Sequence, residues 1–338
     1  MDNLTHTLTA LALSQAGLNR KTRFATLALV VGANLPDIDV LSWLGGSEAY
    51  LKYHRGVTHS ILGVTILAAL LAGILYFIAR RFPPARKGGT KLHPRWLFGI
   101  CWIATASNLV LDFTNSYGVR PFLPFSGRWY AWDIMFVFDP LLLGMLALGL
   151  GLPALLRLIS EEVGAPKPAT RRGAILALLG LVLLLGLRDL AHRRVLQMLD
   201  SRTYSEENPQ RVGAFPTASN PFSWVGVVET ASAFHVLSLS ALNTEVNPDP
   251  LLVFHKPEPS RALEAVMATR TARVFDGFAR FLWVRVEENE EGYQATLRDL
   301  RYASPDAQRP SFVAEIKLDK DLAVRSETFS FSGAPDKR

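Results

Sequence analysis

The chain has 338 residues, room for about two domains at ~150 residues each. It is 49% hydrophobic and 20% charged with a mean hydropathy of +0.18, too apolar for a disordered chain and unusual for an all-soluble one. A single cysteine, Cys101, excludes an internal disulfide framework and an all-thiolate zinc site. The formal charge of +6 is unevenly spread, with 18 Lys/Arg against 10 Asp/Glu in residues 1–191 and 18 against 20 in residues 192–338. The basic excess lies in the apolar half and is scattered over loops without interleaved aromatics. That is the pattern of cytoplasmic loops rather than of a nucleic-acid face, so no nucleic-acid partner is expected.

In chain order, residues 4–18 are apolar but short, the length of a tilted or re-entrant helix. Residues 24–44 form a candidate span interrupted by Asp37 and Asp39. Residues 60–79 are twenty uncharged residues, enough to cross ~30 Å of hydrocarbon at about 1.5 Å per residue. The uncharged runs 96–111, 140–156 and 173–187 lengthen to full spans with their flanks, for about six segments in all. Asp2, in place of a basic stretch ahead of the first apolar run, argues against a cleaved signal peptide. Arg20, Lys21 and Arg23, then 80–95, then Arg157 to Arg172 make three basic loops, while 45–59 and 116–133 carry few basic residues. The positive-inside rule places the basic loops in the cytoplasm and the other loops outside, together with everything after residue 187. Arg188, Arg193 and Arg194 count against that orientation.

Ionisable side chains in such segments are costly and mark function by default. His6, Asp37, His59, Asp112 and Asp139 lie 14–21 residues from the nearest basic residue of a cytoplasmic loop, roughly 21–32 Å along a helix. Helices of alternating direction therefore bring these groups to one outer layer. Imidazole and carboxylate donors suit a divalent ion, zinc first and manganese or iron as alternatives. His54 and His59, five residues apart, cannot share one regular helical face, which puts His54 on a loop and His59 in the first turn, with Gly56 permitting the bend. Alternatives remain for each residue taken singly. His6 is compatible with a structural role, and Asp37 or Asp39 with a cap or turn. Asp133 and Asp139 are compatible with pairing to Arg120 or Arg128, with bracketing the turn before Pro140, or with ligation.

The elements Thr5-His6-Thr7, Leu35-Pro36-Asp37-Ile38-Asp39 and His54-Arg55-Gly56-Val57-Thr58-His59-Ser60 carry a resemblance, with the stretches that begin at Asp112 and at Trp132. Over residues 1–190 the chain resembles the YdjM-like family of membrane-bound metal-dependent hydrolases, the His-Arg-Gly-x-Thr-His-Ser element being the most specific part. The resemblance implies a hydrolase distantly similar to helical zinc-dependent phospholipase C and nuclease folds. Carried over residue by residue, it implies His6, Asp37, His54, His59 and Asp112 as metal ligands. Asp39 is then a further ligand or the general base. Arg55, read from its charge alone, either neutralises the acids or binds an anionic substrate and stabilises transition-state charge.

Past residue 192 the pattern turns to β-rich runs at 224–229, 233–239, 281–287, 293–301, 312–318 and 324–331, with one helix expected over 260–271 and Ser260 as its cap. Turns are expected at 247–250 and 291–292. His235 and His255 read as structural, and Glu287, Glu288, Glu290 and Glu291 as a solvated hairpin end. The expectation is a polytopic helical membrane domain, 1–191, with a metal site at one membrane face, followed by a soluble α+β domain, 192–338. In function it reads as a multi-pass, cytoplasmic-membrane, metal-dependent hydrolase of a phosphoester or lipid-like substrate, with site and C-terminal domain on the extracytoplasmic side. The alternative is a non-enzymatic transporter or ion-binding scaffold using the same His/Asp cluster.

Overall fold

The computed structural model describes residues 1–82, 90–163, 170–218, 220–243, 252–303 and 311–332, and the turn expected at 247–250 lies outside them. By internal contacts the chain divides into two units, residues 1–39 with 55–189 and residues 40–54 with 190–338.

The first unit is helical. α1 (Asn3–Gln15) is capped by Asp2, which accepts from Thr5 N. At 13 residues, about 20 Å, it is too short to span a bilayer. Five helical stretches among the described residues are long and apolar enough to do so, and α1 is the short first of the six segments expected. α2 (Ala25–Asn34) gives way at Pro36 to a 3-10 stretch, Leu35–Gly45, because proline supplies no N–H to continue the ladder. α4 (Ile61–Arg81), α5 (Pro94–Phe113), α6 (Pro140–Val163) and α7 (Thr170–Asp200) follow; α3 (Ser47–Tyr53), between the second and fourth in the chain, belongs to the second unit.

Starts are set locally. Ser60 Oγ caps α4 by accepting from Gly63 N at 2.9 Å, and α5 begins on Pro94. Small residues set the helix spacing, as in membrane bundles. A Cβ on Gly32 would come 2.8 Å from Ala104 Cβ, and one on Gly149 2.5 Å from Ala177 Cβ. The core between α2, α4 and α5 is mostly Ala and Leu, with Ile100 and Cys101, while Leu70, Phe77, Leu148 and Leu183 point outward. Such a surface matches lipid rather than water.

The second unit holds two four-stranded antiparallel meanders. β1 (Arg211–Pro216), β2 (Ser223–Glu229), β3 (Ala233–Ser240) and β4 (Leu252–His255) form one; β5 (Leu282–Asn289), β6 (Gly292–Asp299), β7 (Ser311–Leu318) and β8 (Val324–Ser332) form the other. Val195 and Leu199, late in α7, pack on Trp224, Leu237 and Leu239 of the first sheet. The expected single helix over 260–271 is two, α8 (Arg261–Met267) and α9 (Arg270–Asp276), because Thr269 turns its hydroxyl to Ala272 N and starts a new helix. Ser260 caps the first, accepting from Leu263 N at 3.1 Å. Glu287, Glu288, Glu290 and Glu291 are exposed at the β5–β6 hairpin. Residues 40–54, expected with the helical half, group with this unit. Trp43 stacks on Phe331, Ser47 Oγ donates to Phe329 O at 2.6 Å, and Glu48 pairs with Arg270 at 2.7 Å.

A candidate metal centre at the ends of the membrane helices

The first unit gathers polar side chains from four places in the chain. His6 comes from α1, Asp37 and Asp39 from the 3-10 stretch after α2, His59 from the turn before α4, and Asp112 from the last turn of α5. One ligand atom from each of His6, Asp37 and Asp112 lies within 4.8 Å of the other two. Asp37 Oδ1 and Asp112 Oδ2 both stand 3.2 Å from His59 Nε2, and His6 Nε2 is 3.4 Å from Asp112 Oδ1.

Local structure explains how His59 reaches this point. Residues 57–59 make one 3-10 turn folded over the start of α4, so closely that a Cβ at Gly63 would overlap the Val57 carbonyl. Arg55 adopts a left-handed φ of 51° just before it. That turn presents the two ring nitrogens of His59 to three acids, Nε2 to Asp37 and Asp112 and Nδ1 to Asp39 Oδ2 at 3.0 Å. Asp39 Oδ2 also accepts from Arg55 N at 2.7 Å and from Thr58 Oγ1 at 2.9 Å.

Arg55 bridges the site, donating to Asp112 Oδ1 at 3.0 Å and to Asn115 Oδ1 at 2.8 Å. The Met1 amine also donates to Asp112 Oδ1. Asn108, one turn before Asp112 on α5, donates to Asp37 Oδ2 at 3.1 Å and to Ala33 O at 2.9 Å. Neither Asn108 nor Asn115 was singled out from the sequence. The available signal was an uncharged amide four residues before Asp112 in an apolar helix, on the same face.

These donors fit a divalent ion. Both ring nitrogens of His6 are buried without a hydrogen bond, in a side chain that is 0% exposed. A buried imidazole left so is costly unless something else satisfies it. Two ligands of a tetrahedral ion at about 2.0–2.1 Å stand about 3.3 Å apart, matching the separations of 3.2–3.4 Å around His59 and Asp112.

The remaining acids and histidines lie elsewhere. His54 groups with the second unit, its ring stacked on Tyr50 at 4.4 Å. Asp139 caps α6 through Leu142 N at 3.0 Å and pairs with buried Arg188 at 2.8 Å, a partner not foreseen. Asp133, at φ 61°, sits between Trp132 N, which donates to Phe113 O, and Ile134 N, which donates to Thr114 O. His235 is buried in β3 beside the Tyr204 ring, and His255 is exposed on β4. Outside the membrane segments, burial lowers the His235 pKa and pushes the Tyr204 hydroxyl up to about 12. Hydrogen bonds from Thr230 and Ser232 bring Glu207 down to about 2.

Apolar helices around a buried His/Asp cluster define a multi-pass membrane protein with a possible metal-binding site. The chain belongs to the YdjM inner membrane protein family, whose model matches residues 1–195. Residues 261–334, from α8 to β8, match the YfhP C-terminal alpha/beta plait domain. The chain is 26% identical to uncharacterized protein YfhP of Bacillus subtilis (strain 168), over 96% of this chain and 94% of that one. No solved structure matches it.

Proposed function

We propose that this protein is a membrane-embedded metal-dependent hydrolase acting on a phosphoester, with His6, Asp37, His59 and Asp112 holding a divalent ion, zinc first. The observation that carries this reading is the buried, hydrogen-bond-free imidazole of His6 aimed at two carboxylates. His54 stays outside the ligand set we propose. When bound, such an ion lowers the pKa of water and polarises a phosphoryl oxygen.

Asp39 orients His59 through Nδ1, the carboxylate–imidazole arrangement that fixes a ligand's tautomer and tilt. Arg55 stands with its guanidinium on Asp112 and Asn115, where it is placed to draw an anionic group toward the carboxylates. Asn108 holds Asp37 from the far side. Asp37, with a side chain 14% exposed against 0% for Asp112 and His59, is the open edge of the cluster. For sidedness, the three basic loops favour a site and C-terminal domain outside the cytoplasm. Arg188 carries little weight against this because Asp139 neutralises it in a buried pair.

The burial of Asp112 and His59 also favours a second reading, a closed ion-binding scaffold or transporter without turnover. One experiment separates the two. Protein purified in detergent is analysed for metal and screened against phospholipids and aryl phosphodiesters, beside His59→Ala and His54→Ala. We expect a transition metal in the unsubstituted protein and in His54→Ala, its loss from His59→Ala, and turnover that tracks the metal. Metal without turnover above the His59→Ala background favours the scaffold, and full metal retention in His59→Ala overturns the ligand set.

A further inference from the structure

The stretch joining α5 to α6 closes into a hairpin. Val119 and Tyr130 exchange backbone hydrogen bonds, both at 2.9 Å, and the tip is tightened by Phe125 N and Ser126 N donating to Phe122 O. Gly118, at φ 83°, is required at its base, where a Cβ would come 2.8 Å from Tyr130 O. The tip turns apolar side chains outward, with Phe125 87% exposed and Phe122 46%. Behind it stand aromatic rings and arginines. The Arg128 guanidinium lies over Tyr130 at 5.4 Å, that of Arg120 over Trp129 at 4.5 Å, and Phe122 meets Tyr130 edge-on at 5.3 Å.

Chain connectivity locates this element. It leaves the end of one candidate span and enters the start of the next, and Pro121 O accepts from Ile61 N, the first residue of a third. Three helix ends thus fix the hairpin at one membrane face, the face that carries His59 and Asp112. A bare Phe pair ahead of Trp, Tyr and Arg is the order of groups across a bilayer interface, from acyl chains outward to phosphates. The base of the hairpin continues into the site, for Tyr117 takes the Trp129 ring edge at 5.7 Å and the Arg55 guanidinium at 5.0 Å.

We propose that hairpin 119–130 is an interfacial anchor whose Phe122 and Phe125 side chains insert at the headgroup–acyl boundary of the leaflet on the site's side. Arg128 then lies at the level of the lipid phosphates. This rests on the membrane reading and extends the hydrolase proposal, since lipid phosphates become the anions nearest the path from the tip to Arg55.

The test places a dye at the tip. Full-length Phe125→Cys is labelled with an environment-sensitive nitrobenzoxadiazole and reconstituted in phosphatidylcholine–phosphatidylglycerol vesicles. Phe125 is almost wholly exposed, so the change removes no core packing. Cys101, fully buried, is the one native thiol, and the unsubstituted chain controls for labelling there. We expect blue-shifted emission, quenched more by lipid spin labels near the headgroup than near the chain end, and insensitive to aqueous iodide. Leu70→Cys, exposed midway along α4, should show the reverse depth order. Iodide quenching without lipid quenching would overturn the proposal, because the tip would lie in water. Blue-shifted emission quenched by neither would also overturn it, because protein would cover the tip. The readout needs neither metal nor turnover, so failure here and failure of the hydrolase reading are separate results.

Discussion

Asp39→Asn separates three roles that one carboxylate in this position can have. Asp39 Oδ2 accepts from Arg55 N at 2.7 Å and Thr58 Oγ1 at 2.9 Å and faces His59 Nδ1 at 3.0 Å. An amide oxygen at the same place still accepts hydrogen bonds but brings no charge to hold the imidazole N–H. Loss of such a supporting carboxylate typically lowers metal affinity about 10–100-fold, or about 1.4–2.7 kcal/mol. A direct ligand would cost far more, and a general base would leave affinity unchanged while turnover fell by ~10²-fold or more. The assay is competition for zinc against a chromophoric chelator in detergent, with His59→Ala as the ligand reference. Complete loss of metal, equal to that of His59→Ala, would refute the orienting role, as would unaltered affinity.

Two further outcomes follow from buried groups. Arg188→Met leaves Asp139 charged and 1% exposed, and should destabilise the protein by about 3–5 kcal/mol in denaturant unfolding. Arg188→Met with Asp139→Leu should recover most of that loss, and equal destabilisation by single and double variants would show that the pair does not act as one. Burial holds the His235 pKa below its unfolded value of about 6.5, so the folded state binds fewer protons there. Its stabilising contribution is present above about pH 6.5 and is lost as pH falls through the lower folded value. His235→Gln should flatten that acid limb in thermal melts, and an unchanged limb would assign it to other groups.

Much of the helical unit was legible because lipid imposes a strong rule. A run of apolar residues long enough to cross has few alternatives, and its start is marked by a cap such as Ser60 or a proline such as Pro94. The convergence of His6, Asp37, His59 and Asp112 was legible for a related reason, since alternating basic loops fix the chain direction and hence the depth of each residue. The pairing of Arg188 with Asp139 was not, because it depends on which faces of α6 and α7 meet, and Gly149 and Ala177 decide that at contact distance. β1 and β4 were missed for want of alternation or length. β1 is buried over four consecutive residues, and β4 has only four residues.

Residues 40–54 show where one-dimensional reading fails most clearly. Val40, Leu41, Trp43 and Leu44 extend the apolar run that begins at Ala25, so hydropathy assigns them to the membrane. The structure also sets Trp43 and Tyr50 against Phe331, and Ser47 and Glu48 against β8 and Arg270, contacts about 280 and 220 residues away in the chain. No periodicity records so distant a partner. The consequence lies in the connectivity. Asp39 ends the first stretch of the helical unit and Arg55 begins the second, so the excursion to the C-terminal unit starts and finishes at two residues joined by a 2.7 Å hydrogen bond. That bond closes a loop whose two ends are the residue that orients His59 and the residue that holds Asp112. Closing a loop at its neck fixes the ends independently of what the loop does beyond them, which is what a ligand cluster needs if it is to keep sub-ångström geometry while the inserted segment serves another unit.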